Sequence, residues 1–417
     1  MTANTSNTEK MSVEGDFIKL NKWLTPLSWI YGAVVGIRNA LFDNGVLKSR
    51  SFDIPVISVG NITVGGAGKT PHAEYLIELL QDTYKVAVLS RGYKRKTRGY
   101  RLANADTKMT QIGDEPYQMH KKFPNAHVVV DANRCHGIDR ITTDEATKDT
   151  QVVVLDDAFQ HRYVKPGLNI LLVDYHRLII YDELLPVGRL REPKKGKDRA
   201  DIVIVTKCPK ETTPMGFRVL QRALNLYPYQ ELYFTTMTQL PLKPLFAEGK
   251  PLEKSGLLPN VLLLSGIASP EQIVEDMRNK CTSITPMHFP DHHQYTKSDA
   301  EAINTQYKMM SKPAIIITTE KDATRLENLP NLSAEVRAAM YVQPIRVTFM
   351  QDEEEKFNER IKSYVRKNQR DSRVAEETDN TWVRESNSLF NQSEMSGEPS
   401  AANDSDSAGN RPRTISF

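Results

Sequence analysis

The run Ile57-Ser58-Val59-Gly60-Asn61-Ile62-Thr63-Val64-Gly65-Gly66-Ala67-Gly68-Lys69-Thr70 has the residue types and spacing to hold a chain of phosphates. Ile54, Val56, Ile57 and Val59 read as a buried strand leading into it. Gly65, Gly66 and Gly68 allow backbone N–H groups to turn inward around an anion. Lys69 is placed to reach β- and γ-phosphates, and the Thr70 hydroxyl to ligate Mg²⁺. From Pro71 to Leu80 a helix is expected, its N-terminus facing the anion. Thr63 stands where the pattern G-x-x-x-x-G-K-[ST] has its first glycine. Thr63, Val64, Gly65, Gly66, Ala67, Gly68, Lys69 and Thr70 are therefore the expected nucleotide-binding residues.

Acidic residues downstream complement this loop. Val152 to Leu155 reads as a buried strand ending in Asp156-Asp157. A carboxylate there would hold Mg²⁺ opposite Thr70, between the β- and γ-phosphate oxygens. Gly113-Asp114-Glu115-Pro116 puts two more carboxylates at a strand-to-helix turn. Local sequence leaves two roles open for Asp114, a helix cap or a general base toward a substrate hydroxyl. Arg91, Arg134, Arg162, Arg189 and Arg191 carry forked donors suited to phosphate or carboxylate groups. In Phe289-Pro290-Asp291-His292-His293-Gln294-Tyr295 the adjacent histidines point apart if extended, which disfavours one shared metal ion. One histidine working with a carboxylate in proton transfer is the preferred reading.

The elements that must position these groups alternate. Strands are expected at Lys85–Leu89, His127–Val130, Val152–Leu155, Ile170–Val173 and Ile202–Val205, with helices between them. Continuous apolar strands of this kind form parallel sheets covered on both faces, and ligands bind beyond the carboxyl ends of such strands. After Leu240-Pro241-Leu242-Lys243-Pro244 a smaller α/β unit is expected. Its strands are placed at Val261–Gly266, Ile284–Phe289, Ala314–Thr319 and Tyr341–Phe349. The expected organisation is a polar segment and helix over 1–45, a core over 46–240, a second domain over 241–370 and a tail over 371–417. The tail is acidic and Ser-rich with few apolar residues, so disorder is expected there.

A net charge of +3 gives no case for a nucleic-acid partner. The three cysteines, Cys135, Cys208 and Cys281, are too scattered for a disulfide framework or zinc site. Residues 23–42 are apolar and aromatic between flanking cations, but Pro26 and Arg38 shorten the clean span. That pattern suits a helix lying at a lipid surface better than one crossing it.

Together these motifs resemble the tetraacyldisaccharide 4′-kinase family. The resemblance rests on Gly60 through Pro71, Leu89-Ser90-Arg91-Gly92-Tyr93, Ile112 through Pro116 and Leu155 through Arg162. It continues through Leu184 to Pro193, Val205-Thr206-Lys207 and Phe289 through His293. Thr63 is usual at its position in that family, whereas Lys94 and Ala158 stand where glycine is common. The resemblance implies a P-loop NTPase-like fold and ATP- and Mg²⁺-dependent transfer of a γ-phosphoryl group. The acceptor would be the 4′-hydroxyl of an acylated glucosamine disaccharide 1-phosphate in lipid A biosynthesis. It makes Asp114 and His292 a catalytic dyad, beside Lys69 and Thr70, with Asp156 and Asp157 as metal carboxylates. Tyr93, Glu115, Arg134, Gln160 and Arg191 fall on further active-site positions. It also implies peripheral attachment to the cytoplasmic face of the bacterial inner membrane. A P-loop GTPase or metallochaperone is the alternative, but Thr206-Lys207-Cys208-Pro209 lacks the aspartate that guanine reading needs.

Overall fold

The computed structural model describes residues 20–252, 256–267 and 271–369. The expected disordered tail, 371–417, and most of the polar N-terminal segment lie outside the described residues.

Strands β1 (Val56–Gly60), β2 (Val86–Ser90), β3 (Arg101–Leu102), β4 (His127–Val130), β5 (Val152–Asp156), β6 (Leu168–Asp174), β7 (Ile202–Thr206) and β8 (Glu231–Gln239) build a first sheet. Strands β9 (Lys243–Pro244), β10 (Leu258–Ser265), β11 (Cys281–His288), β12 (Ala314–Thr319) and β13 (Met340–Gln343) build a second. The last strand, β14 (Ile345–Phe349), returns to the first. The orders are β14-β8-β7-β6-β1-β5-β2-β4-β3 and β11-β10-β12-β13-β9. Both interiors are parallel, with antiparallel pairs only at the edges.

The helices are α1 (Thr25–Asp43), α2 (Lys69–Leu80), α3 (Met109–Ile112), α4 (Asp114–Lys122), α5 (Arg134–Thr143), α6 (Pro214–Leu224), α7 (Glu271–Arg278), α8 (Lys297–Met309), α9 (Glu320–Leu326), α10 (Ala334–Ala338) and α11 (354–369). Alternation along each strand sorts the first core into two layers. Ile57, Val59, Val154, Ile170 and Ile204 face α2, α4 and α11 through Leu76, Ile77, Met119, Phe357 and Ile361. On the opposite face, Leu89, Val153 and Leu155 meet Ile138 and Ile141 of α5. Leu171, Val173, Val203 and Val205 meet Phe217, Leu220 and Leu224 of α6.

The expected single strand over 341–349 is instead two strands in different sheets. Pro344 lies between them and has no N–H for a ladder. Gln343 fixes the crossing, its side-chain amide donating to the carbonyls of Leu240 and Pro344 at 2.6 and 3.0 Å. The second sheet therefore closes at Gln343. The stretch 345–369, expected in the smaller domain, packs on the first sheet, where the Tyr364 hydroxyl meets both Val56 N–H and Val56 C=O.

Because Phe357 is wholly buried among Tyr75, Tyr233 and Phe349, Phe357→Ala is expected to cost about 3–5 kcal/mol. Urea unfolding measures it. An unchanged midpoint would contradict membership of α11 in the first core.

Candidate active site

β1 ends at Gly60, and the loop that follows enters α2 through Gly68, whose φ of +79° is favoured only for glycine. Gly65 has φ +123°. Within the described residues, the amides of Gly66, Gly68, Lys69 and Thr70 meet no backbone acceptor. The arrangement is a nest at a helix N-terminus, suited to an anion. Thr63 and Val64 are placed differently from the expectation. Val64 N–H donates to the Arg189 carbonyl at 2.7 Å, and Thr63 bridges Leu190. This end of the loop is strapped by residues 183–191 and its amide is not free for phosphate.

Lys69 lies 3.2 Å from Asp157 and 3.4 Å from the Asn61 side chain. Arg191 reaches both Asp157 oxygens at 3.4 Å and Gln160 at 3.5 Å. Gln160 in turn donates to the Asn61 carbonyl at 2.6 Å and to Glu192 at 3.0 Å. Asp157 has φ +47°, an uncommon conformation for aspartate that turns its carboxylate toward this group. Burial raises the Asp157 pKa, but Lys69 and Arg191 outweigh it and hold the net value below the ordinary one.

Asp156 is buried and behaves oppositely. Burial, then Glu115 and Asp157, push its pKa up to about 7. Ser90 donates to one oxygen at 3.1 Å, while the other, Oδ1, has no partner. An orphaned buried carboxylate oxygen among like charges fits a divalent cation, which would satisfy both. Thr70 at the head of α2 adds a hydroxyl of the expected type. Arg134 is buried beside this pair and donates to the carbonyls of Asp131 and Asp156. Burial lowers its pKa to about 10, and its Nε is unpartnered.

The second sheet supplies the other half of the site. His292, at φ +62°, places Nδ1 at 3.0 Å from Asp114 Oδ2. Gly113, not Asp114, is the N-cap of α4, so the capping role does not apply. The Tyr93 ring meets the His292 ring edge-on at 5.5 Å. Two groups here escaped the sequence reading. Arg325 of α9, with 2% of its side chain exposed, binds Asp114 Oδ2 through Nη2 and through Nε at 3.1 Å. Its Nη1 binds Asp322 at 3.0 Å. Lys321 lies 3.2 Å from His292 Nε2 and 3.0 Å from Asp291. No local motif marks Arg325, whose link to Asp114 spans 211 residues. Burial raises the Asp114 carboxyl, yet His292 and Arg325 bring it down to about 2.

Lysine has only donors and ionised aspartate only acceptors. The neutral tautomer with its proton on Nδ1 and a lone pair on Nε2 satisfies Asp114 at 3.0 Å and Lys321 at 3.2 Å together, and leaves Arg325 Nη2, 3.3 Å from Nδ1, bonded to Asp114 alone. His293 is elsewhere, against Asp299 at 3.0 Å, so the two histidines do not share a ligand. Arg162 is not in the site either; it clasps Asn39 and Asp43 of α1. Among the described residues, no cluster of three or more His, Cys, Asp or Glu side chains forms an all-protein metal site.

A glycine-rich loop between a central parallel strand and a helix, with an aspartate pair ending the neighbouring strand, defines a P-loop kinase-type fold. The family model of tetraacyldisaccharide-1-P 4′-kinase matches residues 20–366. The chain belongs to that family. It is 56% identical over 366 residues to the tetraacyldisaccharide 4′-kinase of Phocaeicola vulgatus, covering 86% of this chain and 99% of that one. The Bacteroides thetaiotaomicron kinase is 51% identical over 370 residues, covering 86% and 97%. Among solved structures, LpxK from Aquifex aeolicus in complex with ATP is 29% identical with a TM-score of 0.62. That match covers 82% of this chain and 99% of the other.

The raised Asp156 pKa has a thermodynamic consequence. Between its ordinary value of 3.8 and about 7 the folded protein holds a proton that the unfolded chain has lost. Stability therefore falls as pH rises through that window. In cation-free buffer, Asp156→Asn is expected to flatten the fall and leave a more stable protein than wild type above it. Urea midpoints against pH measure this; equal slopes for both proteins would contradict the strained acidic pair.

Proposed function

We infer that this protein is an ATP-dependent kinase that phosphorylates the 4′-hydroxyl of a tetraacyldisaccharide 1-phosphate in lipid A biosynthesis. Family membership over residues 20–366 carries the reading, and the site chemistry agrees with it. The loop amides and Lys69 are suited to bind the β- and γ-phosphates and to neutralise charge on the transferred group. Thr70 and Asp156, with Asp157 beside them, would hold Mg²⁺, which when bound supplies charge neutralisation on the phosphate oxygens. Arg191 and Gln160 keep Asp157 turned toward Lys69.

The acceptor hydroxyl attacks γ-phosphorus as the bond to the β–γ bridging oxygen breaks, and its proton must go to a base. Asp114 is ill suited to that task, with a pKa near 2 and Oδ2 already shared between Arg325 and His292. His292 Nε2, which holds the lone pair, is the better acceptor once the incoming hydroxyl takes the place of Lys321 there. Asp114 then orients the ring and stabilises the imidazolium that forms. Tyr93, Glu115 and Arg134 line the same region and are assigned to acceptor binding and charge balance. The guanine-reading alternative finds no support, since Pro209 stands where the aspartate is needed and Lys207 is bound to Asp174 at 2.7 Å.

An acylated acceptor resides in a membrane. Helix α1 turns Trp29, Ile30, Val34 and Ile37 outward, and Trp23 in the short turn before it joins them, with Trp23 81% exposed and Trp29 72%. No helix among the described residues is long and apolar enough to cross a membrane. We assign α1 to peripheral contact with the cytoplasmic face of the inner membrane.

Incubation with γ-labelled ATP, Mg²⁺ and the tetraacyldisaccharide 1-phosphate should yield a bisphosphorylated lipid. Lys69→Ala should lose at least about 100-fold in kcat. Absence of labelled lipid from folded wild-type protein, or near-normal turnover by Lys69→Ala, would overturn the assignment.

A further inference from the structure

The inner face of α1 is as specific as its outer face is apolar. Ser28 donates to the Leu184 carbonyl at 3.0 Å, and the Tyr31 hydroxyl to the Arg191 carbonyl at 2.7 Å. Just before the helix, Asn21 N–H donates to the Val187 carbonyl at 3.0 Å. A Cβ on Gly32 would lie 2.9 Å from Leu184, so helix and strap touch closely. The strap, residues 183–191, then passes directly to the phosphate loop. Arg191 N–H donates to the Ile62 carbonyl and Val64 N–H to the Arg189 carbonyl, both at 2.7 Å. The Arg191 side chain ends on Asp157, which faces Lys69. One unbroken path of bonds therefore runs from α1 to both sides of the nucleotide site.

The same helix is weakly held from its own resources. Leu24 caps it without a side-chain hydrogen bond, and its first turn carries no acidic residue. Its outward stripe of large apolar side chains gains nothing from water. Burial of that stripe in lipid would hold the helix in register against the strap, at no change to the bonds beneath.

We propose that Tyr31, with Ser28 beside it, is a positioning residue that makes α1 part of the nucleotide site, so that occupancy of a lipid surface and nucleotide affinity are linked. This rests on the reading of α1 as a membrane-contacting helix. Linkage of binding free energies is reciprocal: if lipid tightens nucleotide binding, nucleotide tightens lipid binding by the same factor. Burial raises the Tyr31 phenol pKa, with Arg191 opposing, so the hydroxyl remains a donor at neutral pH.

The test uses full-length protein, a fluorescent non-hydrolysable ATP analogue, and mixed phosphatidylethanolamine–phosphatidylglycerol vesicles. Wild type is expected to bind the analogue about five-fold or more tightly on vesicles than in solution. Tyr31→Phe should co-sediment with vesicles as wild type does, bind the analogue more weakly, and lose the vesicle effect. Ser28→Ala should shift in the same direction and serves if Tyr31→Phe does not fold. In turnover, the loss should appear in KM for ATP more than in kcat. Equal analogue affinity with and without vesicles in wild type, or full retention of the effect in both variants, overturns the linkage. Wild type that fails to co-sediment overturns it together with the membrane reading. Wild type that never binds the analogue strikes the kinase reading instead.

Discussion

Arg325 carries a permanent charge into a site where almost none of its side chain meets water. A buried guanidinium is tolerable only when its donors are matched by acceptors held in place. Asp322 is one; it is fully buried and itself accepts from Gly266 N–H at 2.9 Å and from the Thr319 hydroxyl at 2.8 Å. Asp114, at the first turn of α4, is the other. The requirement to satisfy this one cation joins the end of β10, the start of α9 and the start of α4. His292 inherits its position from that junction, and with it the side on which its lone pair lies.

The sheets explain why such a junction can exist. Each is parallel in its interior, so its polar loops collect at the carboxyl ends of the strands. The chain crosses from one sheet to the other twice, near Leu240 and at Pro344, and the two crossings are bonded through Gln343. With β14 and α11 returned to the first sheet, the second is held at its base. A second ionic contact reinforces the antiparallel pair α4 and α9. Lys122 binds Glu74 at 2.6 Å and Glu320 at 3.0 Å, at the ends opposite Asp114 and Arg325.

The sequence made much of this legible, where the signal was local. The phosphate loop, the Asp156-Asp157 turn and the buried strands are each coded within about a dozen residues by glycine spacing or apolar runs. The pairing of Asp114 with His292 came from family resemblance, and the structure places the two in contact. What stayed hidden depends on distant partners. Arg325 reads as one more cation on an amphipathic helix until Asp114 is brought to it. Arg162 reads as a phosphate ligand until Asp43 is seen beside it. The strap over Thr63 and Val64 has no periodicity, and the break at Pro344 lies inside an apolar run that reads as a single strand. Asp114 has the residue type of a base, but the His292 and Arg325 contacts that lower its pKa come from distant sequence, which is why we propose His292 for that role.

The central claim is that Asp114 orients His292 and leaves Nε2 as the proton acceptor. It is tested most directly by ¹⁵N-histidine NMR of the unliganded protein at a pH where His292 is neutral, assigned by comparison with His292→Gln. The account predicts the Nδ1–H tautomer, with a low-field Nδ1 proton that disappears in Asp114→Asn. An Nε2–H tautomer in wild type would contradict it and return the role of base to Asp114.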